Sequence, residues 1–162
     1  MRNIPMGKKI EITEIGRPET WLIEAAAEIG LDLSGLTHQV TNSFIAHIFK
    51  QHGDEKNEKA RGQIAVTLAD IAKIPDIVKN PDYAVIGIRR SGEIINAYAK
   101  RHEDGTTVYY EEILIGRKNR ALRSKTMFIK IGALSIDTFL NILSNNVRSD
   151  LSGVKIVVGA GS

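Results

Sequence analysis

The spacing of apolar residues changes character near residue 82. Before it they recur three and four apart; after it they gather in short Val-, Ile- and Tyr-rich runs broken by Gly-containing turns. In the first half, residues 1–17 read as an irregular leader with one short strand, Lys9–Ile15. Pro18-Glu-Thr opens a helix carrying Trp21, Leu22, Ala25, Ala26 and Ile29, which Gly30 is placed to end. A turn at Asp32–Gly35 follows. Thr41 or Asn42 can cap a second helix that runs to about His52 and stops at Gly53. Asp54–Gln63 is a polar stretch. Thr67 and Asp70 have the spacing of a capping box with Asp in place of Glu, opening a helix over Leu68–Lys73. That helix meets Pro75, and a further turn, Asp76–Lys79, ends at Asn80-Pro81-Asp82.

In the second half, Tyr83–Arg89, Ile94–His102, Thr106–Ile115 and Lys125–Ile131 read as four strands. Ser91-Gly92-Glu93 and Glu103-Asp104-Gly105 supply the first two turns, and residues 116–124 form a basic loop before the last strand. Consecutive strands on short connections predict an antiparallel meander. A helix from about Ile136 to Val147 and a strand over Val154–Val158 follow. Helices first and a meander after them predict an α+β fold: N-terminal helices packed on a four-stranded antiparallel meander, with an extra C-terminal helix and strand. The expected division is a leader and helix over 1–35 and the main domain over 36–162.

Composition narrows the classes. The chain is 43% hydrophobic and 25% charged, the balance of an ordinary globular protein. No run of eighteen apolar residues exists, and the charged N-terminus leads into no apolar core, so neither a membrane span nor a secretory signal is expected. The absence of cysteine excludes disulfides, thiolate catalysis and sulfur-ligated zinc. The net charge of +3 is mild, and its distribution matters more. Residues 117–125 carry Arg117, Lys118, Arg120, Arg123 and Lys125 with no acid among them. A solvated loop and a phosphate-binding patch are both open readings.

Candidate chemistry falls on the second helix and the sheet. Val40, Phe44, Ile45, Ile48 and Phe49 cover one apolar arc, which leaves His47 just outside its edge beside Gln51 and near Lys50. A histidine at such a border can titrate near neutrality and still reach a substrate. His52 lies at the helix C-terminus, where the macrodipole favours its protonated form. The two histidines do not share a face, so spacing alone also fits a capping role for one and a rim hydrogen bond for the other. No His/Asp/Glu spacing suggests a metal site. On the second strand Asn96, Tyr98, Lys100 and His102 form a polar face opposite Ile95, Ala97 and Ala99. On the third, Tyr110 and Glu112 share one face and Tyr109 and Glu111 the other. One of the two acids is expected to face solvent, and the other to be ion-paired or functional. Ser124 and Thr126 flank Lys125 where the basic loop becomes a strand. Phosphate-loop, dinucleotide-loop and GxSxG signatures are absent.

The segment FIAHIFKQHGDEKNEKARGQIAVTLADIAKIPDIVKNPD, residues 44–82, resembles the opening of phage-associated members of the barnase–EndoU–colicin–RelE-like nuclease superfamily. The shared pattern is a helix bearing HI…KxHG, a polar linker, and T-x-x-D-I-x-K-I-P-x-I-x-x-N-P-D. The run YYEEILIGRKNRALRSKTMFIK is similar to that family's strand with an internal Glu followed by a Thr-Met strand. The resemblance spans roughly residues 40–131. It implies RNA bound across an antiparallel sheet and metal-independent cleavage that leaves a cyclic phosphate, with no cofactor. Carried over residue by residue, it implies catalytic roles for His47, His52, Glu112 (or Glu111) and Thr126. It implies substrate contacts from Lys50, Ser124 and Lys125, with Lys100, Arg101, Arg117, Lys118, Arg120 and Arg123 holding phosphates. The implied partners are RNA, with tRNA a candidate, and an immunity or antitoxin protein or a phage structural protein. The implied setting is the cytoplasm of a producing or target bacterium, with phage, prophage or toxin origin. A phage head-associated module that binds nucleic acid or coat protein without cleaving is the alternative.

Overall fold

Short polar caps and apolar stripes set the helices, and the Val/Ile runs after residue 82 set the long strands. The computed structural model describes residues 10–60, 63–116 and 120–159. β1 (Ile12–Gly16), α1 (Thr20–Glu28), β2 (His38–Thr41), α2 (Asn42–His52) and α3 (Glu55–Ala60) come first. β3 (Gln63–Ile64), α4 (Leu68–Ile71) and α5 (Ile74–Lys79) follow. The long strands are β4 (Tyr83–Arg90), β5 (Glu93–Arg101), β6 (Thr106–Ile115) and β7 (Ala121–Ile131). α6 (Ile136–Ser144), β8 (Ser149–Asp150) and β9 (Lys155–Val158) complete the order.

The caps act where their chemistry placed them. Thr41 Oγ1 accepts from Phe44 N at 3.1 Å to start α2. Thr67 and Asp70 close a reciprocal capping box on α4. Ser135 Oγ accepts from Thr138 N at 3.2 Å to start α6.

The architecture is α+β with a mostly antiparallel sheet. Its order is β1-β2-β7-β6-β5-β4-β8, with β3 on β7 and β9 on β4. β2 alongside β7 is parallel. The sheet is therefore wider than four strands. β3 and β8, two residues each, carry too little periodicity to read, and β2 is announced only by the short alternation of Leu36, His38 and Val40. α3 also arose inside the stretch read as polar linker. β1 starts at Ile12, with Lys9 of the expected strand outside the described residues, and β7 starts at Ala121 rather than Lys125.

Both faces of the sheet are covered. On one, Leu22 of α1, Phe44 and Ile48 of α2 and Ile77 of α5 pack on Tyr98, Tyr110 and Met127. On the other, Phe139 and Leu143 of α6 pack on Val85, Ile95, Ala97 and Tyr109. Each fully buried Leu, Ile or Phe contributes ~1.5–3 kcal/mol, several times an exposed helix ion pair such as Lys59–Glu55. The two apolar cores therefore hold the frame.

Two bulges decide which side chains share a face. In β4, Val85 pairs with Ala97 and Ile88 with Ile95, so Ile86 and Gly87 together oppose Asn96. Gly87 has φ +85°, and a Cβ there would lie 2.4 Å from Ile29 Cδ1, so glycine is required. In β7, Glu111 pairs with Thr126 and Glu112 with Ser124, which leaves Lys125 as the extra residue.

Candidate active site

Strand geometry points the side chains of adjacent residues to opposite faces, so Glu111 and Glu112 enter different surroundings. Both are buried, at 3% and 0% exposure. Neither faces solvent, contrary to the expectation for one of the two. With helices on both faces, this part of the sheet has no solvent side, and each carboxylate needs partners.

Glu111 finds them on the α6 side. Arg90 Nη1 and Nη2 donate to its two oxygens at 2.8 and 3.1 Å, a bidentate pair, and the Tyr109 hydroxyl donates to Oε2. Arg90 Nε donates to Ser149 Oγ at 2.8 Å. Burial opposes the charge on Arg90, but hydrogen bonds and charge from Glu111, with Tyr109 adding to both, raise its pKa overall. Burial, then the charge of Glu111, pushes the Tyr109 phenol well above its usual value.

These groups line a cleft of about 350 Å³ with His52, Gln63, Lys125, Thr126 and Phe128, and with Ile142 and Asn146 from the segment around α6. His52 reaches it because α2 packs beside β7 and ends there. The His52 ring centroid lies 6.1 Å from that of Phe128, which stacks on Tyr109 at 4.5 Å. Its Nδ1 lies 3.2 Å from Oε2 of buried Glu58, a contact that orients the ring. Lys125 Nζ donates to Glu93 Oε1 at 3.2 Å. The bulge puts both Lys125 and Thr126 at the cleft, while Ser124 turns to the other face. There the Ser124 hydroxyl accepts from Thr41 N at 3.4 Å. An acceptor, an imidazole, two cations and two hydroxyls thus converge on one opening, an arrangement suited to proton transfer beside a phosphate.

Glu112 lies under α1, α2 and α5. His38 Nδ1 donates to its Oε1 at 2.6 Å, Asn96 Nδ2 donates to Oε2 at 3.2 Å, and the Tyr98 hydroxyl also donates to Oε2. Burial, then the charge of Glu112, pushes the Tyr98 and Tyr110 phenols well above their usual values. Asn96 and Tyr98, read as a polar strand face, are buried in this network.

The structure brings together His52, Lys125, Thr126 and Glu111. It places Glu112 and Ser124 on the opposite face. His47 and Lys50 are exposed on α2 and do not line the cleft, and His47 does not sit at a protected rim. The buried stripe of α2 is narrower than the expected arc: Phe44 and Ile48 fill it, Val40 belongs to β2, and Phe49 is exposed. Lys100 Nζ donates to Asn80 O at 2.6 Å, and Arg101 pairs with Asp82 at 3.9 Å. Arg120 donates to Asp32 O at 3.2 Å and Arg123 to Gln39 Oε1 at 3.3 Å. Arg117 and Lys118 lie outside the described residues.

Arg90 and His38 escaped the sequence reading. Arg90 stands just before the Ser91-Gly92 turn, where a cation looks like a solvated strand end. His38 carried a usable signal: Leu36, His38 and Val40 alternate at a strand's period, which puts the imidazole on a buried face. Among the described residues no group of three or more His, Asp or Glu could hold a metal ion.

Residues 17–135 match a family model described as phage-Barnase-EndoU-ColicinE5/D-RelE like nuclease3. The match runs from just before α1 through β7 and stops short of α6, so it contains every cleft residue except Ile142 and Asn146. No curated protein and no solved structure gives a significant match.

Proposed function

The chain belongs to the phage-Barnase-EndoU-ColicinE5/D-RelE-like nuclease family, and from that premise we propose that it cleaves RNA at the Glu111 cleft without a divalent ion. The observation that carries this reading is the convergence of Glu111, His52, Arg90, Lys125 and Thr126 on one opening. In the proposed reaction Glu111 takes the proton of a ribose 2′-hydroxyl. The 2′-oxygen forms a bond to phosphorus, the bond from phosphorus to the 5′-oxygen breaks, and His52 gives that leaving oxygen a proton. The products are a 2′,3′-cyclic phosphate and a 5′-hydroxyl. Arg90 and Lys125 stabilise the charge that builds on the non-bridging oxygens, and Thr126 donates to one of them. Arg90 holds Glu111 in the resting state. An arriving phosphate draws the guanidinium towards itself and frees a carboxylate oxygen to act as base.

The test is an assay on generic RNA and on total tRNA, with and without chelator. Cleavage should persist in EDTA, yield cyclic-phosphate ends, and fall about a hundredfold or more in Glu111→Gln and His52→Ala. Wild-type rates in both variants, or activity restored only by added metal, would overturn the assignment. One observation favours a second reading: Arg90 and Tyr109 occupy both Glu111 oxygens. On that reading the cleft binds nucleic acid or a coat protein in a phage head without cleaving it. RNA that binds the wild-type chain and is never cut would select it.

A further inference from the structure

A second cleft, of about 410 Å³, opens beside α5, on the Glu112 face of the sheet. His38 forms part of its lining and is 1% exposed. Nδ1 of its ring donates to Glu112, and Glu112 is itself held by Asn96 and Tyr98. The ring therefore cannot rotate freely, and Nε2, on its far side, points away from Glu112. Among the described residues Nε2 is buried with no hydrogen-bond partner. A buried ring nitrogen left unpaired is costly, and native proteins rarely leave one so. Here it belongs to a side chain that lines an opening and is oriented by a buried carboxylate, which is how a ligand-contacting imidazole is held.

The opening has a definite character. Arg17 and Lys79 stand at it as exposed cations, and Ile15, Pro75 and Val78 give it apolar walls. Two acids also line it. Asp76 lies 3.8 Å from Lys100 Nζ, which partly neutralises it, and Glu19 is half-buried. We propose that this cleft is a second binding site, for a phosphate monoester of mononucleotide size, with a phosphate oxygen on His38 Nε2 and Arg17 and Lys79 closing on the same group. The volume exceeds that of a lone phosphate, the apolar walls suit a ribose and base, and Glu19 can accept from a ribose hydroxyl. A monoester carries close to two charges near neutral pH, which the two cations Arg17 and Lys79 match. The site does not depend on the nuclease reading, since Glu111 and its cleft lie on the other face of the sheet.

Nitrogen-resolved NMR of the imidazoles tests it, with His38 assigned by comparison with His38→Gln. Adenosine monophosphate should move the His38 Nε2 signal saturably, inorganic phosphate should do so at higher concentration, and adenosine should leave it in place. Arg17→Ala and Lys79→Ala, both at exposed positions, should each weaken the nucleotide about tenfold. Glu111→Gln should bind it as the wild type does, whatever its effect on RNA cleavage. Either of two results would overturn the proposal: no saturable response to nucleotide or phosphate, which leaves a water as the partner of Nε2, or loss of the response in Glu111→Gln, which places the ligand in the other cleft. An equal response to adenosine would remove the phosphate from the assignment.

Discussion

Glu111 and Glu112 are adjacent, chemically identical and both buried, yet one faces an open cleft and the other a closed network. Glu112 accepts from an imidazole, an amide and a phenol, and it does not line either opening. Glu111 accepts from a guanidinium and a phenol beside an opening lined by a histidine and a lysine. Burial therefore does not by itself tell the two carboxylates apart, and on the proposed function Glu111 is the reactive one. On that proposal, what separates them is whether the partners are packed away from the substrate or stand beside it. Arg90 lines the cleft together with Glu111, whereas Asn96 and Tyr98 line neither opening.

The sharpest way to break this contrast is to remove each acid in turn. Glu112→Ala strands three buried donors and should cost about 3–5 kcal/mol, read from urea unfolding. A loss below about 1 kcal/mol would show that the network is not structural. Glu111→Gln and His52→Ala should instead act on rate, lowering cleavage about a hundredfold, while His47→Ala leaves it unchanged. Rate and melting temperature should be measured on the same preparations. An early melt at an unchanged rate would make Glu111 the structural acid, and a slow His47→Ala would move the site along α2.

Alkaline pH probes what the two faces share. Tyr109 on one and Tyr98 and Tyr110 on the other all have phenol pKa values raised by burial. The unfolded chain ionises them near pH 10 while the folded chain keeps them neutral. Their contribution is therefore complete below about pH 10 and is lost as pH rises through the folded values, by about 1 kcal/mol per tyrosine per pH unit. Stability flat from pH 10 to 11 would mean that these phenols are not held as described. The smallest effect concerns charge at the start of β7. Arg120→Glu and Arg123→Glu should each lower the salt dependence of RNA binding by about one unit of slope. An unchanged slope would leave those arginines to their present contacts with Asp32 and Gln39.

Much of the frame was legible from local patterns. Thr41, Thr67 with Asp70, and the change from helical to strand spacing after Asp82 report on neighbours within a few residues, so the sequence alone could place α2, α4 and the long strands. His52, Thr126 and Lys125 were legible as candidates by residue type and by the family resemblance. What remained hidden depended on contacts between distant segments. The assignment of the strand acid turned on which face each helix covers and on an extra residue, Lys125, inserted opposite the Glu111–Glu112 step. Alternation alone puts Ser124 and Thr126 on one face; the bulge separates them. His38 and Glu112, 74 positions apart, form a pair only once β2 lies beside β7. Arg90 reaches Glu111 only across β5. Residue order set which chemical groups were available and where the chain would turn. Only the packed sheet decided which of them share a face, because pairing register and helix cover are set by long-range burial.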